Sequence, residues 1–150
     1  MWDALTGCAI GPPLTHKNAL VHFMPGGAVL ATASPDDEEA QRDLSMGFYQ
    51  LGFVIGREGD YDASRIMLQK SLEIRRNLVA ASPTNGRYLR DLVEVHQKLA
   101  EFAKAQNKQE EASLQRKESY RILQAMHADG MNLDWIEKFY EELRQEFDPK

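Results

Sequence analysis

The chain has 150 residues, 43% of them apolar and 27% charged, which is ordinary for one globular domain large enough to bury a core. Its net charge of −5 argues against nucleic acid as a partner, because phosphate binding needs concentrated Lys and Arg. A single cysteine, Cys8, excludes an intramolecular disulfide and fits a reducing compartment. No apolar run is long enough to cross a membrane and no basic region precedes the first apolar residues, so the expected location is cytoplasmic.

Residues 1–37 differ in kind from the rest. Pro12-Pro13, Pro25-Gly26-Gly27 and Pro35 punctuate short segments, and the apolar runs Ala19 to Phe23 and Ala28 to Thr32 flank Pro25-Gly26-Gly27, which predicts a β-hairpin. Trp2-Asp3-Ala4-Leu5-Thr6-Gly7, Ile10 to His16 and Phe23 to Asp36 together resemble a WD-repeat propeller: the end of one blade, then the outer strand and first two strands of the next. The resemblance implies that His16, Thr32 and Asp36 tie the blade together by hydrogen bonds, a structural role. After Asp37 the third strand and its Trp do not follow. One partial blade cannot close a ring, so residues 1–37 are expected to be a remnant of a gene break, fusion or truncation, as a short hairpin or loosely ordered.

Ser34-Pro35-Asp36-Asp37 opens a helix, with Ser34 as cap and acids at the positive end of the dipole. Helix one is expected from Pro35 or Glu38 to Arg57, with Leu44, Phe48, Leu51 and Ile55 as its buried stripe. Helix two should run from about Asp60 to Ala80 with Ile66, Leu68, Leu72 and Ile74 apolar, ended by Ser82-Pro83-Thr84-Asn85-Gly86. Helix three carries Tyr88, Leu89, Leu92, Val95, Leu99 and Phe102. Helix four spans about Lys108 to His127, stopped by Asp129-Gly130. A last helix begins near Asp134, which with Glu137 makes a capping box. Trp135, Ile136, Phe139, Tyr140, Leu143 and Phe147 form its wide apolar stripe.

The same pattern is written twice between Arg42 and Met126. Arg42-Asp43-Leu44 returns as Arg90-Asp91-Leu92, 48 residues later, and the same shift brings Leu51 onto Leu99, Gly52 onto Ala100, Ser64 onto Ala112, Ser71 onto Ser119 and Ile74 onto Ile122. Gly59-Asp60 breaks the first copy into two helices and Asn107-Lys108 breaks the second. Leu51-Gly52, Gly59-Asp60-Tyr61, Ser64, Leu68 and Ser71, repeated as Leu99-Ala100, Asn107, Ala112 and Ser119, resemble a tetratricopeptide repeat in a long bacterial-type version. The usual repeat is about 34 residues. Arg116 departs from the family, which prefers a bulky apolar residue there.

The expected fold is therefore mainly α: residues 38–150 as a tetratricopeptide-like α-α solenoid of two helical hairpins, closed by a C-terminal capping helix or carrying the first half of a third repeat. In that family the first helix of each pair lines a concave surface. By resemblance, Met46, Tyr49 and Phe53 would face it from the first pair, and Glu94, Gln97, Glu101 and Lys104 from the second. Tyr49 and Phe53 lie on the side away from the Leu44, Leu51 and Ile55 stripe, and would anchor a partner protein or peptide. The family's clamp for C-terminal carboxylates, built of Lys, Asn and Arg, is not supplied by Tyr49, Phe53 and Glu101.

Catalysis finds little support. His16, His22, His96 and His127 lack the close spacing of common metal sites, and Cys8 has no nucleophile signature. Glu137, Glu141, Glu142 and Glu146 are expected on a solvated helix face. There is no Gly-rich phosphate loop, and Arg75-Arg76 is too short a basic run for nucleic acid. The residues point to a non-enzymatic interaction or scaffold module without cofactor or metal. The alternative is a regulatory C-terminal part of a larger bacterial signalling enzyme, a kinase or protease carrying both repeat types.

Overall fold

The computed structural model describes residues 36–149 throughout; before them it describes only the backbone of short strands. These are β1 (Trp2–Asp3), β2 (Cys8–Ala9), β3 (Leu14–His16), β4 (Ala19–Phe23) and β5 (Val29–Ala33). β1 pairs antiparallel with β2, and β3, β4 and β5 form an antiparallel meander in which Ala19 faces Ala33 and Phe23 faces Val29. The two arms of the expected hairpin are thus β4 and β5. Its Pro25-Gly26-Gly27 turn, Ser34, Pro35 and the side chains of Cys8, His16, His22 and Thr32 lie outside the described residues.

Five helices follow among the described residues: α1 (Glu38–Arg57), α2 (Tyr61–Ala81), α3 (Gly86–Ala105), α4 (Gln109–Ala128) and α5 (Glu137–Phe147). α3 starts 48 residues after α1, and α4 starts 48 after α2. The turns repeat with the helices. Gly59 (φ 95°) and Asn107 (φ 59°) both take the left-handed conformation that closes a helix, and they too are one repeat apart. After α3 the Lys108 N–H donates to Ala103 O at 2.9 Å; after α4, Gly130 (φ 72°) lets Met131 N–H donate to Met126 O at 2.9 Å.

Each pair packs as a hairpin, α1 on α2 and α3 on α4; α2 then lies against α3, and α4 against α5. This ordering is a tetratricopeptide-like α-α solenoid, as the repeated pattern implied. The buried positions keep the 48-residue register: Leu44 with Leu92, Gly52 with Ala100, Ser64 with Ala112, Ser71 with Ser119, Leu72 with Tyr120 and Leu78 with Met126. One cluster centres on Leu68, Leu72, Leu92, Val95, Leu99 and Phe102 between the pairs. Another, including Leu89, Val93, Leu123, Ile136, Tyr140 and Leu143, joins the second pair to α5.

Several local expectations need correction. The cap of α1 is Asp37, three residues beyond the expected one, its carboxylate accepting from Ala40 N–H at 2.9 Å. In α1 the inward row is Ala40, Leu44, Phe48, Gly52 and Gly56, while Leu51 and Ile55 are only half buried. The reason is close approach. A Cβ at Gly52 would press on Leu68, and one at Gly56 would collide with the Phe102 ring, so the helix faces its neighbours with glycines rather than leucines. On α2, Ile66 is exposed and the fully buried long side chain is Arg75. Asp134 caps no helix. It sits in a turn where its N–H donates to Asn132 Oδ1 at 2.7 Å, and α5 begins only at Glu137.

Candidate functional site

The first helices of the pairs, α1 and α3, and the last helix α5 make one side of the stack. Met46, Tyr49 and Phe53 share a face of α1, but they are not an aromatic pair left outside the core. Tyr49 and Phe53 are half buried against the cluster of Leu68, Leu72, Leu92, Val95, Leu99 and Phe102. The Arg75 guanidinium stacks 4.7 Å from the Tyr49 ring, and Lys98 Nζ sits 4.7 Å from the Phe53 ring. Met46 Sδ lies 3.9 Å from Arg75 Nη2. Burial raises the Tyr49 phenol above its ordinary pKa.

Arg75 belongs to a buried polar seam between the pairs. Its guanidinium donates to the backbone oxygen of Asp91 and, at 3.4 Å, to Ser45 Oγ. The Asp91 carboxylate accepts from Arg42 Nε at 2.6 Å and Nη2 at 3.0 Å, a two-pronged pair. This hydrogen bond raises the Arg42 pKa, whereas burial lowers that of Arg75. Ser71 Oγ donates to Ser45 O at 2.8 Å, and Ser64 Oγ to Gly52 O at 2.5 Å. The repeated Arg-Asp-Leu thus works as a lock, the Arg of the first copy holding the Asp of the second. In α3, Arg90 instead stacks 4.5 Å from the Trp135 ring of the turn before α5. The seam orients α3 on α1 and leaves little of its polar surface for a ligand.

Open space lies on the other side of α3. A cleft of about 570 Å³ is bounded by Gln97, Ala100, Glu101 and Lys104 of α3, the start of α4, and Phe139, Glu142 and Glu146. A second, of about 510 Å³, runs along Arg90, Glu94 and Gln97 to Trp135, Phe139 and Glu142. The two share Gln97, Phe139 and Glu142, so they form one groove between α3 and α5. All four residues expected from the second pair, Glu94, Gln97, Glu101 and Lys104, line it. Met46, Tyr49 and Phe53 do not. Glu101 pairs with Lys98 at 2.5 Å. Arg116 pairs with Glu146 at 2.7 Å and stacks 5.4 Å from Phe139, which accounts for a charged residue where the first copy has Leu68.

Residues on and just before α5 were missed as groove residues because the helix reads as a cap with a solvated acidic face. The signal was present: shifting the register once more carries Met46 to Glu94 and then to Glu142. α5 buries Tyr140 at the position of Leu44 and Leu92, so it stands where a third first helix would stand. No described helix is long and apolar enough to cross a membrane.

The tetratricopeptide repeat family model matches residues 43–118, half of the chain, from within α1 to the middle of α4. No curated protein and no solved structure gives a match. With the paired helices, the repeated left-handed turns and this match in agreement, the chain belongs to the tetratricopeptide-repeat family, whose members are in general protein–protein interaction modules.

Proposed function

We propose that the chain is a cytoplasmic interaction or scaffold module that holds a peptide or partner protein in the groove between α3 and α5, without catalysis of its own. The observation that carries this reading is the convergence of Glu94, Gln97, Glu101 and Lys104 with Trp135, Phe139 and Glu142 around one continuous groove. Aromatic platforms beside adaptable polar groups suit a peptide better than a small apolar ligand. Met46, Tyr49 and Phe53 on α1 do not line this groove and would contribute only where a partner extends beyond it. A photo-crosslinking residue at Gln97 should capture a partner in cells, whereas the same residue at Leu114, exposed on α4, should not. Equal capture at both positions, or none at Gln97, removes the reading.

A second reading rests on the N-terminal text and its strands. Trp2-Asp3, followed by the meander β3-β4-β5, supports residues 1–37 as a partial WD-repeat blade and residues 38–150 as a separate helical domain. The chain would then be a regulatory part of a larger bacterial signalling enzyme, a kinase or protease. Coding sequence upstream that holds further blades and a catalytic domain favours it; unrelated sequence there rejects it.

A further inference from the structure

The open cleft has a filled counterpart in the same molecule. In the first pair, the place bounded by Gly56, Ser64 and Leu68 receives the Phe102 ring of the next first helix, which lies directly over Gly56 and 5.7 Å from the Tyr61 ring. One repeat later the same place is bounded by Lys104, Ala112 and Arg116, with Gln109 where Tyr61 was. α5 carries Phe147 as the counterpart of Leu99, and the counterpart of Phe102, position 150, lies outside the described residues. Many inward positions of the two copies agree, yet the walls of this socket have turned from glycine, tyrosine and leucine to lysine, glutamine and arginine. The walls of this socket are polar and include two cations, Lys104 and Arg116.

Its charges say what else fits. Around the joined clefts acidic side chains outnumber basic ones six to four. Glu101 and Glu146 are already paired, while Glu142, which lines both clefts, has no charged partner among the described residues. Glu142 lies three residues from Phe139 on the same face of α5. The wall already displays the mode of recognition. Arg116 lies over the Phe139 ring at 5.4 Å while pairing with Glu146 at 2.7 Å. Arg90 lies over Trp135 at 4.5 Å with Glu94 at 3.7 Å. Each of these guanidiniums sits between an aromatic face and a carboxylate, and Glu142 adds a further carboxylate beside them, exposed and without a charged partner among the described residues.

We infer that the groove between α3 and α5 takes a basic peptide segment, with an arginine or lysine side chain seated at Glu142 beside Phe139. This deepens the peptide-binding reading and rests on it. The test is selection of a random peptide library on the immobilised full chain, repeated on Glu142→Gln and Glu142→Lys. Glu142 is exposed on α5, so both variants should fold, and a circular dichroism spectrum checks this. Enriched peptides should carry Arg or Lys at a fixed position. Their binding should weaken about threefold in Glu142→Gln and about tenfold in Glu142→Lys, and fall between about 50 and about 500 mM salt. Enriched peptides that lack basic residues, or that bind the Glu142 variants unchanged, overturn the basic class and leave the groove standing. No enrichment at all overturns the groove with it.

Discussion

The two helical pairs share a frame and differ in what they do with it. At Gly52 and Ala100, Ser64 and Ala112, and Leu72 and Tyr120, both copies bury the residue. At Gly56 and Lys104, Leu68 and Arg116, and Arg75 and Leu123 they part. The first pair spends those positions on holding the second: Gly56 admits Phe102, and Arg75 reaches Asp91 across the seam. The second pair has apolar Leu123 at the Arg75 position and an open, charged cleft at the Gly56 position. A repeat array divides labour in this way because inward positions are constrained by packing, while sockets between units are constrained only by what occupies them.

The largest way to break the comparison is at Phe102 and its counterpart Val54. Phe102 is 8% exposed and Val54 is 52% exposed, although they occupy the same register. Phe102→Ala should cost about 3–5 kcal/mol in denaturant unfolding, and Val54→Ala under about 0.5 kcal/mol. Similar losses would mean that the copies are more alike than their sockets suggest. Asp91→Ala should come next, at about 3–5 kcal/mol, because it strands the Arg42 guanidinium and removes the charge facing buried Arg75. An unchanged midpoint would mean that the seam contributes nothing.

Smaller effects sharpen the picture. Ser71 Oγ donates to Ser45 O, whereas Ser119 Oγ is buried without a hydrogen-bond partner among the described residues. Ser71→Ala should therefore cost about 1 kcal/mol, and Ser119→Ala should be neutral or stabilising. Equal losses would reveal a hidden partner for Ser119. His96 replaces Phe48 one repeat later; burial lowers its pKa, although Gln115 hydrogen-bonds its Nδ1 at 2.7 Å. A histidine held neutral in the fold binds its proton more readily when unfolded. Its contribution to stability is therefore full above the unfolded pKa of about 6.5 and is lost as pH falls below it toward the lowered folded value. The melting temperature should drop below about pH 6.5, and His96→Phe should flatten that drop. A variant that falls as steeply as the parent would assign the pH dependence to other groups.

How much of this was legible in the sequence follows from what each residue has to obey. The 48-residue register, the helix bounds and the left-handed turns at Gly59 and Asn107 are local, and periodicity and turn chemistry expose them. The inward row of α1 was misread because glycine carries no hydropathy: Leu51 and Ile55 are the apolar residues, yet Gly52 and Gly56 make the contact. Arg75 was set aside as half of a short basic run, since nothing local announces that its partners lie at Ser45 and Asp91. Tyr49 and Phe53 looked like exposed anchors because the side chains that cover them, Arg75 and Lys98, are polar and come from other helices. The second-copy residues Glu94, Gln97, Glu101 and Lys104 share one groove because the register transfers a face as a whole. The α5 wall was missed because an acidic face reads as solvated until a groove is seen beside it.

The central claim is that the groove between α3 and α5 is the ligand-binding surface. Amide chemical shifts, recorded while a library-selected peptide is titrated into the isotope-labelled chain, test it most directly. The account predicts that the largest shifts fall on Gln97, Glu101, Lys104, Phe139 and Glu142, with Ile66, Leu114 and the Arg75 seam unmoved. Shifts centred on Tyr49 and Phe53, or on the exposed face around Ile66 and Leu114, with the α3–α5 groove silent, would contradict it.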